Sequence, residues 1–334
     1  MNAGQDAALV IGINDYPSLA PLTGAITDAR LFAGWLRTRA GLPSGHIELV
    51  TSSGATGPEC PTLAEVDAAF DRILTMARGW SRPRRLYVYF AGHGCSREVR
   101  HLALLMANAT LGNLNRAANA TEYQTGLRKQ IFPEQVYFFD CCRAYDQTVL
   151  GRGPEWTDDP AAREVPGLTQ IILYAAGFTE YATEQLHYGV RRGLFTTALM
   201  EGLEGAAAVD DGVTGGVVTT GRLKQYVHSR VKDLARRENV VQQMTVDAHG
   251  DPRELVLADG ISPRRQPVKL IAPDGTTHIR VRDNEYRIIR TIEATVTPVE
   301  VRLEMGPLTF EALPGGATAT ADILPDSTDE IRLH

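Results

Sequence analysis

Cysteine is scarce in this chain. Four thiols (Cys60, Cys95, Cys141 and Cys142) in 334 residues are too few for a disulfide framework, and they suit a compartment that keeps them reduced. Long apolar runs are missing as well. No stretch approaches the roughly 20 residues that cross a bilayer, and the first residues do not lead from a basic segment into an apolar one. Neither a membrane span nor a secretory leader is therefore expected, and the cytoplasm is the expected location. Excess positive charge is the third absence. A formal charge of -6 and a pI near 5.8 provide no attraction to phosphate backbones, and the basic run Arg82 to Arg85 is too short to act as an arm. Nucleic acid is not an expected ligand. No internal repeat is evident, and 43% hydrophobic with 22% charged residues is the composition of a folded globular protein.

What is present is an alternation of short apolar runs with longer helical patterns, the mark of a parallel sheet with helices on both faces. AALVIGI (Ala7 to Ile13), IELVT (Ile47 to Thr51), RLYVYF (Arg85 to Phe90), QVYFF (Gln135 to Phe139) and TQIILYAA (Thr169 to Ala176) read as buried strands. Thr27 or Asp28 is placed to cap a helix through Leu31, Phe32, Trp35 and Leu36. Thr62 is placed to cap another through Val66, Phe70, Ile73 and Leu74. Further helices are expected over Phe195 to Leu203 and Arg222 to Arg237. Near Gly260 to Gln266 the character changes, which sets the expected domains at 1–260 and 261–334. The second is expected to be a small antiparallel unit with strands at Lys269 to Ile271, His278 to Val281, Tyr286 to Ile292, Glu300 to Leu303 and Thr309 to Leu313.

Ligands of open parallel sheets collect beyond the carboxyl ends of the strands, and two runs end suggestively there. Arg85 to Phe90 leads into AGHGCS, which presents His93 between Gly92 and Gly94. Gln135 to Phe139 leads into Asp140, Cys141 and Cys142. A thiol nucleophile needs an imidazole for proton traffic and backbone donors for the developing oxyanion. Taken singly, His93 reads as a hydrogen-bonded structural histidine and the cysteines as inert core. Taken together they point to nucleophilic catalysis. The competing chemistry is zinc, because Cys60, His93, Cys95, Cys141 and Cys142 are ligand types. The chain has no CxxC pair, however, and adjacent cysteines chelate one ion poorly. No metal is expected.

The chain resembles the caspase and metacaspase superfamily of cysteine peptidases, especially its bacterial members. ALVIGINDYPSLAPLTGAITDARLFAGWL is similar to the family's opening strand, loop and first helix, VYFAGHG to its histidine motif and VYFFDCCRA to its cysteine motif. ILYAAGFTEYATE and GLFTTALMEGL resemble the later strand and helix, so the likeness covers roughly residues 5 to 250. His93 and Cys142 lie 49 residues apart, close to the ~50 of caspases, and the signature Gln-Ala-Cys-Arg-Gly lies over Asp140 to Ala144 with Cys142 as nucleophile. The other register would put a cysteine where Arg143 now matches. Ala144 departs from the family's glycine but removes no catalytic atom.

The resemblance implies attack of the Cys142 thiolate on a peptide carbonyl, with His93 protonating the leaving amine and then assisting water. Gly94 and Cys142 would supply oxyanion N–H donors, and a backbone carbonyl would orient His93. A pocket for a basic side chain needs buried carboxylates. Asp140 precedes the cysteines as in metacaspases, and Asp28 matches the second acid of Leu-x-Gly-x-x-x-Asp-Ala. Cleavage after Arg or Lys is expected, with a helix cap and a strand-end acceptor as the plainer readings of the two acids. Asp15, Glu180 and Glu184 flank the cleft and are given no catalytic role. Tyr145 to Gly167 lies where caspases carry the linker between subunits, so Arg152 and Arg163 are candidate self-cleavage sites. No cofactor is expected. Metacaspases are often activated by calcium, and that activation stays open, although no ligand loop of recognisable spacing is present. The expected partners are a protein substrate and an activating protein in a bacterial stress or defence response. The alternative is a catalytically silent caspase-like interaction module.

Overall fold

Runs of β-branched and aromatic residues without polar alternation form strands covered on both faces. The computed structural model places five of them as β1 (Asp6–Gly12), β2 (Ile47–Thr51), β3 (Arg85–Ala91), β4 (Glu134–Asp140) and β5 (Thr169–Tyr174). It describes residues 3–52, 59–156, 163–187, 190–210, 212, 215–251, 254–284, 286–325 and 329–334. The five strands are parallel, in the order β5-β4-β3-β1-β2, and Thr245–Gly250 adds antiparallel to β5. The sequence gives no strand signal at that sixth position, because TVDAHG is a polar edge segment with little to bury.

Alternation along the strands sends successive aromatics to opposite faces. Tyr89 and Phe138 meet α1 (Ala25–Thr38), where Phe32 stacks on Tyr89 with ring centroids 4.8 Å apart and meets Phe138 edge-on at 5.4 Å. Phe90 and Phe139 face the other way, into a core with Phe70 and Ile73 of α2 (Leu63–Arg78) and Tyr123 and Leu127 of α3 (Ala120–Leu127). Each buried phenylalanine contributes ~1.5–3 kcal/mol. Helices on both faces therefore hold the sheet, as expected.

Helix starts show where local reading succeeds and where it fails. Thr62 caps α2 in a capping box, its N–H donating to Glu65 Oε2 at 2.8 Å. By contrast, α1 begins at Ala25 with Gly24 at the cap position, so neither Thr27 nor Asp28 caps it. Distant side chains take that role. Asn14 Oδ1 accepts from Ile26 N–H, and Glu184 accepts from Gly24 N–H. With those orphan donors satisfied, Asp28 lies within the first turn, 2% exposed, and is free for another use. The later helices are α4 (Leu194–Glu201) and α5 (Thr220–Arg237).

The chain packs as two compact units, Met1–Thr197 with Leu234–Arg253, and Ala198–Asp233 with Glu254–His334. The boundary expected at residue 260 lies inside the second. Within the second unit, Arg265–Ile271 is flanked by Val299–Glu304 and Asp329–Arg332 in one sheet. Ile288–Glu293, His278–Asp283, Gly306–Leu313 and Thr318–Ile323 form another. Leu270, Ile279, Val281, Phe310 and Ile323 lie in its core. Two strands, Thr318–Ile323 and Asp329–Arg332, lack large alternating apolar residues and were not legible from sequence.

Candidate active site

Register fixes the site. Ala91 of β3 pairs with Asp140 of β4, so His93 and the cysteine pair leave the sheet side by side at its carboxyl edge, with Gly92 N–H donating to Asp140 O at 3.3 Å. The segments stay together afterwards, because Cys95 pairs in parallel with Ala144. Gly94 is where the two loops touch. A Cβ there would lie 2.7 Å from both Cys141 Sγ and Cys142 O, so a close backbone approach requires glycine.

The adjacent cysteines have opposite environments. Cys141 is 2% exposed and belongs to the core beneath the sheet; burial pushes its thiol well above the ordinary range. Cys142 is half-buried and faces a cavity. Its Sγ accepts Ala182 N–H at 3.3 Å and lies 3.6 Å from Ala182 O. Burial raises the Cys142 thiol, and the Ala182 N–H acts in the opposite direction.

His93 is held by backbone and by one aromatic ring. Its Nε2 lies 2.7 Å from Ala20 O, and its backbone N–H donates to Tyr16 Oη at 2.9 Å. The Tyr16 and His93 rings sit with centroids 4.7 Å apart. Because a carbonyl only accepts, Nε2 carries the proton in this contact, and Nδ1 is the nitrogen left to exchange one.

Asp28 and Asp140 come together beside this pair. Asp140 Oδ2 accepts Thr196 N–H at 3.1 Å and Thr196 Oγ1–H at 2.5 Å. Burial, reinforced by the neighbouring Asp28 charge, pushes its carboxyl up to about 7. Asp28 accepts from Arg192 Nε at 3.0 Å and Gly193 N–H at 2.8 Å, and burial still raises it to about 6. Gly193 must be glycine here, since a Cβ would overlap Asp140 Oδ2. A cavity of about 130 Å³ is lined by Asp28, His93, Asp140, Cys142, Ala182 and Glu184 among others. A larger groove of about 570 Å³ in the second unit, lined in part by Lys269, Glu300, Arg302 and Glu330, contains no thiol or imidazole.

Other sequence candidates lie apart from this cluster. Asp15 accepts from Ser52 Oγ, and Glu180 closes its own turn through Gly177 N–H. The Arg152 side chain pairs with Glu155 at 3.0 Å, and its backbone is bonded to Ala117 and Asn119. Arg163 is exposed. Part of the linker around them, 157–162, lies outside the described residues. Cys95 is buried with its thiol pushed up to about 12, and among the described residues no three His, Cys, Asp or Glu gather as metal ligands. None of the described helices is long and apolar enough to cross a membrane.

Sequence reading missed Tyr16, the Ala20 carbonyl, Ala182, Thr196 and the Arg192–Gly193 pair. Backbone groups leave no sequence signal. Glu184 was seen only as a flanking acid, and the glycine after Arg192 was the one available hint that a side chain packs closely there.

A cysteine-bearing loop and a histidine-bearing loop thus leave adjacent parallel strands side by side, and comparison with known proteins gives the family of this arrangement. The chain belongs to the caspase-domain family, whose profile matches residues 5–246. A probable protease of a Desulfuromonadales bacterium is 28% identical over 217 residues, 60% of this chain. The chain spans about a quarter (26%) of the length of that curated relative. In fold it is similar to caspase-1 from Spodoptera frugiperda, with a TM-score of 0.50 at 15% identity over 78% of this chain and 92% of that one.

Proposed function

We propose that this chain is a cysteine endopeptidase in which Cys142 is the nucleophile, His93 its acid–base partner, and Arg or Lys the residue before the cleaved bond. The observation that carries the reading is one cavity lined at once by Cys142, His93 and two buried carboxylates. His93 Nδ1 takes the Cys142 proton, and the thiolate adds to the peptide carbonyl. The resulting imidazolium returns the proton to the leaving amine, and His93 then takes a proton from the water that releases the acyl group. Gly94 and Cys142 backbone N–H groups are the proposed oxyanion donors, supported by their close packing.

Asp140 and Asp28 have different parts in the basic pocket. Asp140 uses one oxygen for Thr196, and among the described residues no protein donor meets the other. That oxygen suits an ammonium or guanidinium. Asp28 already bonds Arg192 and Gly193, so it contributes charge more than a vacant acceptor. For self-cleavage Arg163 is the better site, because a backbone held in a bridge, as at Arg152, must open before a protease can bind it. The wider reading is an effector in bacterial stress or defence, switched on by a protein partner.

The test is hydrolysis of fluorogenic peptides with Arg, Lys or Asp before the scissile bond, by wild type, Cys142→Ala, Cys141→Ala and His93→Ala. Cleavage of the Arg and Lys peptides that disappears only with Cys142 or His93 is expected. A preference for the Asp peptide, or full activity in Cys142→Ala, rejects the reading.

A further inference from the structure

We infer that Tyr145 and Phe178 form an apolar subsite for the part of the substrate that follows the cleaved bond, so that a large apolar residue just after that bond is selected. This subsite rests on the Arg/Lys reading above and extends it to the leaving side of the cleft.

Two segments lie alongside each other, in opposite directions, across the cysteine. One runs from Asp140 through Cys142 to Tyr145, the other from Phe178 to Glu184. Their contacts fall in order. Cys142 Sγ accepts Ala182 N–H at 3.3 Å, Arg143 N–H donates to Glu180 O at 3.0 Å, and Thr179 N–H donates to Arg143 O at 3.0 Å. The Tyr145 ring then meets Phe178 edge-on, with centroids 6.1 Å apart. The cavity lined by Asp140 and Glu184 is thus at one end of the paired segments, the sulfur comes next, and the aromatic pair stands at the other end. A bound substrate has its parts in the same order. The basic side chain leads to its Cα, the Cα to the carbonyl carbon over Sγ, and that carbon to the residues released with the amine. The leaving segment therefore runs toward Tyr145. Three residue steps separate Cys142 from Tyr145, at most roughly 10 Å of chain, so the first three residues beyond the bond come within its reach.

The subsite is apolar, open and firmly supported. Tyr145 is 58% exposed, and Val99, tied to the same place because its carbonyl accepts from the Arg143 guanidinium, is 65% exposed. Large apolar side chains gathered in water beside a reactive cavity are what a binding surface presents. Buried Arg143 fixes the floor beneath them, its guanidinium 4.6 Å from the centre of the Tyr174 ring. The neighbouring loop is held in an uncommon conformation, with β-branched Thr179 at a φ of 72°. Rings on such a support lose little freedom when a ligand covers them.

The experiment uses internally quenched peptides with Arg before the scissile bond and Leu, Ser or Asp at each of the three positions after it. They are cleaved by wild type, Tyr145→Ser and Phe178→Leu, with the cut mapped by mass, beside an arginyl aminocoumarin that has no residues beyond the bond. Wild-type kcat/KM is expected to be about tenfold higher with Leu than with Ser at one or more of these positions. The ratio is expected to fall to about twofold in Tyr145→Ser, with Phe178→Leu in between. Because the ratio is taken within each protein, a general loss of activity does not move it. Should Phe178→Leu fail to fold, Tyr145→Ser decides, at a position exposed to water. Equal wild-type rates for Leu and Ser at all three positions, or a ratio preserved in Tyr145→Ser, overturns the subsite and leaves cleavage after Arg standing. Absence of cleavage after Arg in every peptide and in the aminocoumarin overturns the Arg/Lys reading and the subsite with it.

Discussion

The second unit and the carboxyl edge of the parallel sheet treat charge in opposite ways. In the former, Arg280 and Arg282 meet Glu311 across neighbouring strands at 3.2 and 3.1 Å, in water's reach, and Arg282 foremost holds the Glu311 carboxyl below its ordinary range. At the sheet edge, Asp28 and Asp140 are buried together, among the described residues only Asp28 has a salt-bridging cation, and both carboxyls are pushed up. Surface pairs of the first kind are nearly neutral for stability. Buried like charges of the second kind are costly. Such a cluster next to a thiol and an imidazole is what the proposed pocket for a basic side chain uses.

Substitutions can break this contrast, and the largest effect is expected at the nucleophile. Cys142→Ala should lower peptide hydrolysis by roughly four orders of magnitude or more, measured as initial rates. Cys141→Ala should retain hydrolysis and lose ~1 kcal/mol of stability in denaturant melts, because it removes a buried sulfur from the core. Reversal of the two phenotypes would mean that the register is wrong.

Next in size is the pocket. Asp140→Asn should raise KM for Arg and Lys peptides by about tenfold to a hundredfold, with kcat changed less. Equal KM values for the two proteins would remove Asp140 from substrate binding.

A pH titration sharpens the same contrast. In the proposed pocket the ionised carboxylates would attract a basic substrate, so its KM should fall as pH rises through about 6 to 7, the range to which burial raises Asp28 and Asp140. Stability should move the other way. A carboxyl whose folded pKa is raised favours the fold below the unfolded value and loses that contribution as pH rises through the folded one. The melting temperature of wild type should therefore drop relative to Asp140→Asn between pH 4 and 8. A constant difference across that range would contradict the raised carboxyl.

The smallest effect is expected at the surface pair. Glu311→Gln should leave hydrolysis unchanged and shift the melting temperature only slightly, with the shift shrinking further in high salt.

Much of this was legible in the chain, for physical reasons that differ by residue. The five parallel strands could be read because each is buried on both faces and must be apolar throughout. His93, Asp140 and Cys142 could be placed on one edge because each lies at or just beyond the end of such a strand. Asp28 was located by motif, yet its local reading as a helix cap failed, because Asn14 and Glu184, distant in sequence or across the loop, satisfy the helix start instead. The Ala20 carbonyl and the Ala182 amide belong to the backbone, which every residue carries, so no residue type marks them. The polar strands Thr245–Gly250 and Thr318–Ile323 escaped because their pairing, rather than their side chains, makes them strands.

The most direct measurement of the central claim is covalent labelling with a peptidyl halomethyl ketone bearing arginine, beside its aspartate counterpart, followed by mass mapping of the modified peptide. The account predicts a single adduct on Cys142, formed faster with the arginine reagent and absent in Cys142→Ala. An adduct on Cys141, or faster reaction with the aspartate reagent, would contradict it.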